Sequence, residues 1–243
     1  MKIVSRVLKI LVLVACLLGV GMIFYRFVSM NRIPAQVGRM YFDDVLTAAW
    51  SRPEGAPVIY TQEIQNNYDQ AVHDSKIKGC FFADELRIIP ELGQLQVVVR
   101  YNDSTLDRFA EYYGLSETPT AAQHTFTFFL RAAGEGDAPE QGALYPCHVV
   151  AFEEKGRQNY LRLLVNGIDF GGRLGEPPRY DENNELIVDE ERLAWLRLEI
   201  HLTAAPEGQE DPYSRLCVFQ NNASRYRLDI YEPEEEEKPD ARG

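Results

Sequence analysis

Oxygen ligands spaced for a hard cation are the strongest chemical signal in this 243-residue sequence. Asp181, Asn183, Glu185 and Asp189 fall at alternating positions of a calcium-type loop. Leu186 stands where the sharp turn needs glycine, however, and Arg192 where the bidentate glutamate belongs, so the stretch reads as a solvated acidic loop and no metal is assigned. The four histidines, His73, His124, His148 and His201, have no carboxylate or cysteine at ligand spacing. Cys80, Cys147 and Cys217 each lie beside apolar residues and none has the C-x-x-C spacing of a zinc or redox site. They read as small buried side chains in strands, with one disulfide plus a free thiol as the alternative.

No nucleophile elbow, phosphate-cradling glycine loop or dinucleotide fingerprint occurs, so no catalytic residue and no cofactor is assigned, and the chain reads as a non-enzyme. A glycan hydrolase using two carboxylates that only the fold brings together, within about 5–9.5 Å, is the alternative. The residues best suited to meet a partner lie in two long polar, acidic stretches, 171–185 and 204–214. They carry Tyr180, Asp181 and Tyr213, a chemistry for a protein or carbohydrate partner.

Charge narrows the partner classes. The whole chain has 25 basic and 37 acidic residues, and four of the basic ones but none of the acidic ones fall in the first 29 positions. The remainder therefore carries 21 against 37, a net charge of −16. Such an excess repels phosphate backbones, which disfavours nucleic acid.

Those first positions are of another kind. Residues 10–25 are uncharged, about 24 Å of helix at about 1.5 Å per residue, and Lys9 and Arg26 have apolar stems that extend the reach toward the about 30 Å of a hydrocarbon core. A transmembrane signal anchor over 7–28 is the expectation. Phe24, Tyr25, Arg26 and Phe27 stand where a cleavable leader needs small residues. Lipidation at Cys16, after Leu13-Val14-Ala15, is the alternative, set against nine further uncharged residues through Tyr25. The six residues before the helix form a cytoplasmic tail, which places the rest outside the cell membrane.

The elements that must position any site are mainly strands. Residues 38–50 show three-to-four spacing and predict an amphipathic helix ending before Pro53. Strands are predicted from Val58, in CFFADELRII and LQVVVRY around a Pro90–Gly93 hairpin, and in TFTFFLRA. Two more meet at Glu154-Lys155-Gly156-Arg157, and others follow in LAWLRLEIHLTA, RLCVF and SRYRLDIYE. One helix interrupts them: Asn102, Asp103 or Ser104 caps it, Leu106, Phe109, Ala110 and Tyr113 share a face, and Gly114 ends it.

About ten strands with adjacent hairpins and no βαβ rhythm predict a mainly β fold, an antiparallel β-sandwich with one or two short helices, preceded by the single transmembrane helix. The boundaries are 1–6 cytoplasmic tail, 7–28 anchor, 29–57 tether and amphipathic helix, 58–232 extracytoplasmic sandwich, and 233–243 an acidic tail without apolar content that should be disordered. The functional expectation is a membrane-anchored binding or structural module of the cell envelope.

Overall fold

The computed structural model describes residues 12–25, 32–53, 55–62, 67–68, 80–133, 142–168, 182, 195–206, 214–220, 228–234 and 237–238. The chain divides into two units, Met1–Pro34 and Ala35–Gly243.

In the first unit, residues 12–25 form a helix, α1, whose large apolar side chains from Val12 to Tyr25 are exposed. At about 1.5 Å per residue α1 is about 21 Å long. No helix among the described residues is long and apolar enough to cross a membrane, so the expected crossing over 7–28 is not supported; residues 7–11 and 26–28 lie outside the described residues.

The second unit is mainly antiparallel β sheet with few short helices. Helices α2 (Ala35–Gly38) and α3 (Asp44–Trp50) precede β1 (Tyr60–Gln62), β2 (Asn67–Tyr68), β3 (Phe81–Ile89) and β4 (Gln94–Asn102). Helix α4 (Asp103–Tyr113) is followed by β5 (Phe126–Ala133), β6 (Ala143–Lys155) and β7 (Gln158–Val165). The strands β8 (Trp195–Leu202), β9 (Ser214–Gln220) and β10 (Leu228–Ile230) complete the set. The strand order is β10-β1-β3-β4-β7-β6-β5-β8-β9-β2, every pair antiparallel.

Local chemistry accounts for the turns. Pro90–Leu92 make one 3-10 turn and Gly93 follows at φ 60°, a left-handed position that closes the β3–β4 hairpin. The β6–β7 hairpin closes at Lys155 against Gln158, leaving Gly156 and Arg157 as a two-residue loop, shorter than the predicted four, with Gly156 at φ 69°. Asn102 Oδ1 accepts from Ser104 N at 3.0 Å to cap α4, and Gly114 ends it at φ 61°.

Strand β6 is long enough to serve two neighbours. Its first part pairs with β5 (Ala143 with Ala132 through Cys147 with Phe128) and its second with β7 (His148 with Leu164 through Lys155 with Gln158), with a register shift between Val149 and Ala151. Although β3 and β5 are separated by three strands in the sheet, Phe81 and Phe126 meet edge to face at 5.0 Å. The sheet therefore closes over its own inner face. That face holds Phe81, Leu86, Leu95, Val97, Val99, Leu161 and Leu163 from one half, and Phe126, Phe128, Leu130, Leu198 and Ile200 from the other. Leu106, Phe109 and Tyr113 of α4 pack against the same cluster.

The opposite face of β3, β4 and β7 is also covered. Buried residues run consecutively along Gln94–Val99 and Asn159–Val165, without the alternation of a half-wet strand. Over this outer face lie α2, residues 40–43, which belong to no helix or strand, and α3, and a second apolar cluster forms there from Met40, Leu46, Ile59 and Ile89 with Phe42, Trp50, Leu92 and Tyr231. In place of the single amphipathic helix expected over 38–50, α2 ends at Gly38 and α3 starts at Asp44, with the link 39–43 outside any helix. Asp43 accepts from Leu46 N at 2.8 Å and caps α3 there, so the helix cannot extend further back.

Candidate functional site

The described residues that gather the most chemistry are the polar side chains under that link. The outward positions of the middle strands are Glu85 and Arg87 on β3, Gln94 and Gln96 on β4, and Arg162 on β7; Gln96 is paired with Leu164, next to Arg162. Arg162 is fully buried, Arg87 is 5% exposed, and both glutamines are buried, so each must find partners inside the protein.

They find them on the backbone of residues 37–41. Arg162 Nε donates to Val37 O at 2.6 Å and Nη2 to Gly38 O at 2.8 Å. Arg87 Nη2 donates to the same Gly38 oxygen at 2.9 Å. The Gln96 amide pairs with Tyr41 as a strand would, accepting from its N–H at 3.0 Å and donating to its carbonyl at 2.6 Å. Gln94 Nε2 donates to Asp43 Oδ2 at 3.0 Å and Asn166 Oδ1 at 2.9 Å. The segment 37–43, from the end of α2 to the cap of α3, is therefore stitched down by side chains that take the place of a neighbouring strand.

The charges close among themselves. Glu85 Oε2 lies 3.2 Å from Arg162 Nη2 and 3.4 Å from Arg87 Nη2. The second carboxylate comes from the acidic tail. Glu237 Oε1 accepts from Met40 N at 3.1 Å and sits 3.9 Å from Arg87 Nη1, while Oε2 accepts from Tyr231 Oη at 2.5 Å and from Glu234 N at 3.2 Å. The Arg87 guanidinium also stacks over the Tyr231 ring, 4.1 Å from its centroid. The tail expected to be disordered is thus packed at Glu237, whose side chain is 6% exposed; composition gave it no apolar anchor, and a single buried arginine supplies an ionic one.

Burial lowers the Arg162 pKa to about 10, with Arg87 adding to the effect and Glu85 opposing it, so the guanidinium stays charged at neutral pH. Burial alone would raise the Glu237 carboxyl, but the bonds from Tyr231 and Met40 and the Arg87 charge outweigh it and hold it below the usual range. Burial and the Glu237 bond together push the Tyr231 phenol upward. The arrangement binds a carboxylate and a stretch of backbone. Arg162 donates through all three nitrogens and Arg87 through Nη2, while Arg87 Nη1 has no hydrogen bond among the described residues.

A second polar group lies beyond it on the same face. Arg100 pairs in register with Tyr160, and Tyr160 with Glu153, while Asp84 is the unpaired residue at the β3 bulge between Ala83 and Glu85. Arg100 Nε contacts Asp84 Oδ2 at 2.5 Å and stacks on Phe82. Burial raises the Asp84 carboxyl although Arg100 pulls it down.

The candidate partner residues Tyr180, Asp181 and Tyr213 lie outside the described residues, as do Asn183, Glu185 and Asp189 of the acidic stretch. Among the described residues no group of three or more acidic, histidine or cysteine side chains is placed to hold a metal ion. Comparison of the chain with models of known families, with curated proteins and with solved structures returns no match.

Proposed function

We propose that this chain is a membrane-anchored, extracytoplasmic β-sandwich module that binds or scaffolds at the cell envelope, with α1 as the core of its anchor. The observation that carries the reading is the stitched link. The chain leaves an apolar, exposed α1 at Tyr25 and from Val37 to Tyr41 is fastened to the middle strands of the sheet by Arg162, Arg87 and Gln96. A domain pulled through its N-terminus needs its first residues fixed to its most buried strands, because otherwise tension peels the edge. The closing of the sheet over a shared apolar face supports the sandwich reading.

Fractionation tests the anchoring. The full chain is expected in the membrane pellet, resistant to carbonate and high salt, with its domain cut when protease is added to intact cells. A full chain that appears in the soluble fraction refutes it.

The hydrolase reading is favoured by one observation, the raised Asp84 carboxyl beside Arg100, Phe82 and Tyr160. Release of reducing sugar from envelope glycan that is abolished by Asp84→Asn, with an unchanged Tm, would establish it in place of the module.

A further inference from the structure

Strand β6 is bonded on both sides for only part of its length. Its pairing with β5 ends at Cys147 opposite Phe128, whereas its pairing with β7 runs on to Lys155 opposite Gln158. Among the described residues the start of β5 keeps only β8, with Phe126 opposite Leu202 and Thr127 opposite His201. Past the register shift between Val149 and Ala151, β6 is therefore an edge in the middle of the strand order, opened where the shift re-aims the strand.

One bond at the hairpin fixes which way the free groups of this edge point. Asp103 N donates to Arg157 O at 3.0 Å, so Arg157, and with it Asn159 and Leu161, turns its peptide group toward β4. Gln158, Tyr160 and Arg162 turn theirs toward β6, where they meet Lys155, Glu153 and Ala151. Phe152 and Glu154, which alternate with these, point N–H and C=O away from β7, and no bond among the described residues takes them up.

The side chains along the edge set what fits it. Phe152 is half-buried and packs on the inner apolar cluster, so an added strand would cover the rest of its ring. Glu154 shares its face and is exposed, while Glu153 lies on the outer face opposite Tyr160. A second copy of the chain would bring the same two consecutive carboxylates on a molecule of net charge −12, so like charge disfavours it.

We propose that residues 149–154 of β6 take up an extended segment of a basic partner protein as an added strand. The peptide groups of Phe152 and Glu154 supply the pairing. Apolar side chains of the partner lie beside Phe152 on the inner face, and its lysines or arginines beside Glu153 on the outer face. The inference stands apart from the anchor and holds for the chain in a membrane or out of it.

Amide hydrogen exchange of the full chain in mild detergent tests it, with an acetylated octapeptide of alternating valine and lysine as the probe. The peptide is expected to slow exchange at the Phe152 and Glu154 amides by about tenfold or more, and to leave those of Ala151 and Glu153, already bonded to β7, unchanged. The same peptide N-methylated at alternate residues keeps its charge and side chains but loses its donors, and should bind at least about tenfold more weakly. Glu153→Lys should reverse the preference, weakening the lysine peptide and favouring one with glutamate in place of lysine. Absence of binding, or unchanged exchange at both amides with peptide bound, overturns the proposal. So does equal affinity for the N-methylated peptide, which would reduce the contact to charge attraction, or an unaltered preference in Glu153→Lys. Protection of either amide before peptide is added also overturns it, in favour of a second copy where dilution releases the amide and of the chain's own residues where it does not.

Discussion

Replacing Arg162 with methionine, similar in length and without charge, measures what the stitching contributes. The variant deletes a donor to Val37 O at 2.6 Å, one of two donors to Gly38 O, and one of two cations beside Glu85. Gly38 O keeps Arg87, and Glu85, whose side chain is 35% exposed, can turn to water, so the full penalty falls on the buried Val37 carbonyl. A buried polar group left without a partner costs about 1–3 kcal/mol, and a hydrogen bond to a charged donor contributes about 1.5–3 kcal/mol. Against this stands the relief of no longer burying a guanidinium, a few kcal/mol in the other direction. The loss outweighs the relief here because the orphaned acceptor is backbone, which no compensating substitution removes. A net destabilisation of about 2–4 kcal/mol is expected, about 4–16 °C in Tm for a domain of this size. Circular dichroism melts of the parent and Arg162→Met at one pH and salt give the number, with hydrogen exchange at Tyr41 as the local readout. A Tm within about 2 °C of the parent, or above it, refutes the reasoning, since it would mean that desolvation cancels the bonds.

Three further outcomes follow from the same geometry. Gly93 and Gly114 share a left-handed backbone, but a Cβ at Gly93 would stand 2.8 Å from Ile168 O whereas at Gly114 it meets nothing within 4 Å. Gly114→Ala should therefore cost only the left-handed penalty of about 1–2 kcal/mol and Gly93→Ala clearly more, with equal urea midpoints refuting the contrast. The Glu237 carboxyl is held below its unfolded value of 4.5, so its contribution is present above that pH and is lost as pH falls through the lower folded value. The acid limb of a stability profile should flatten in Glu237→Gln, and an unchanged limb would count against the clasp. Burial raises both the Cys80 and Cys147 thiols, so both should react with Ellman's reagent far more slowly in the folded chain than in urea; fast labelling of either would contradict its placement.

Much of the sheet was legible because its punctuation is local. Pro90 and Gly93, Asn102 and Gly114, and Gly156 act within their own turns, and β3, β4, α4, β5 and β7 stand where their patterns predict them. The outer face was not legible, because a polar residue carries no local mark of whether a distant segment covers it. Arg162, Gln94 and Gln96 are polar and buried there, as is Glu199 on β8, against Arg131 Nε at 2.7 Å. A signal was present: Val97-Val98-Val99 and Leu163-Leu164-Val165 put apolar residues on both faces, as strands covered on both sides do. Which segment covers them depends on contacts more than a hundred residues apart, from Val37 to Arg162 and from Met40 to Glu237, and no spacing rule reaches that far. The partner-face idea rested on Tyr180, Asp181 and Tyr213, which the structure does not describe.

The shared strand β6 governs how the second unit comes apart. Its first residues complete the pairing of β5 and its last those of β7, through one uninterrupted backbone. If either half of the sheet melted alone, it would draw the common strand out of register and strip hydrogen bonds from the half still standing. Heat or denaturant should then remove both halves in one transition, with calorimetric and van't Hoff enthalpies in agreement. By the same token, a cut between Cys147 and His148 would not yield two autonomous pieces: each would carry away half of a strand that the other needs in order to fold.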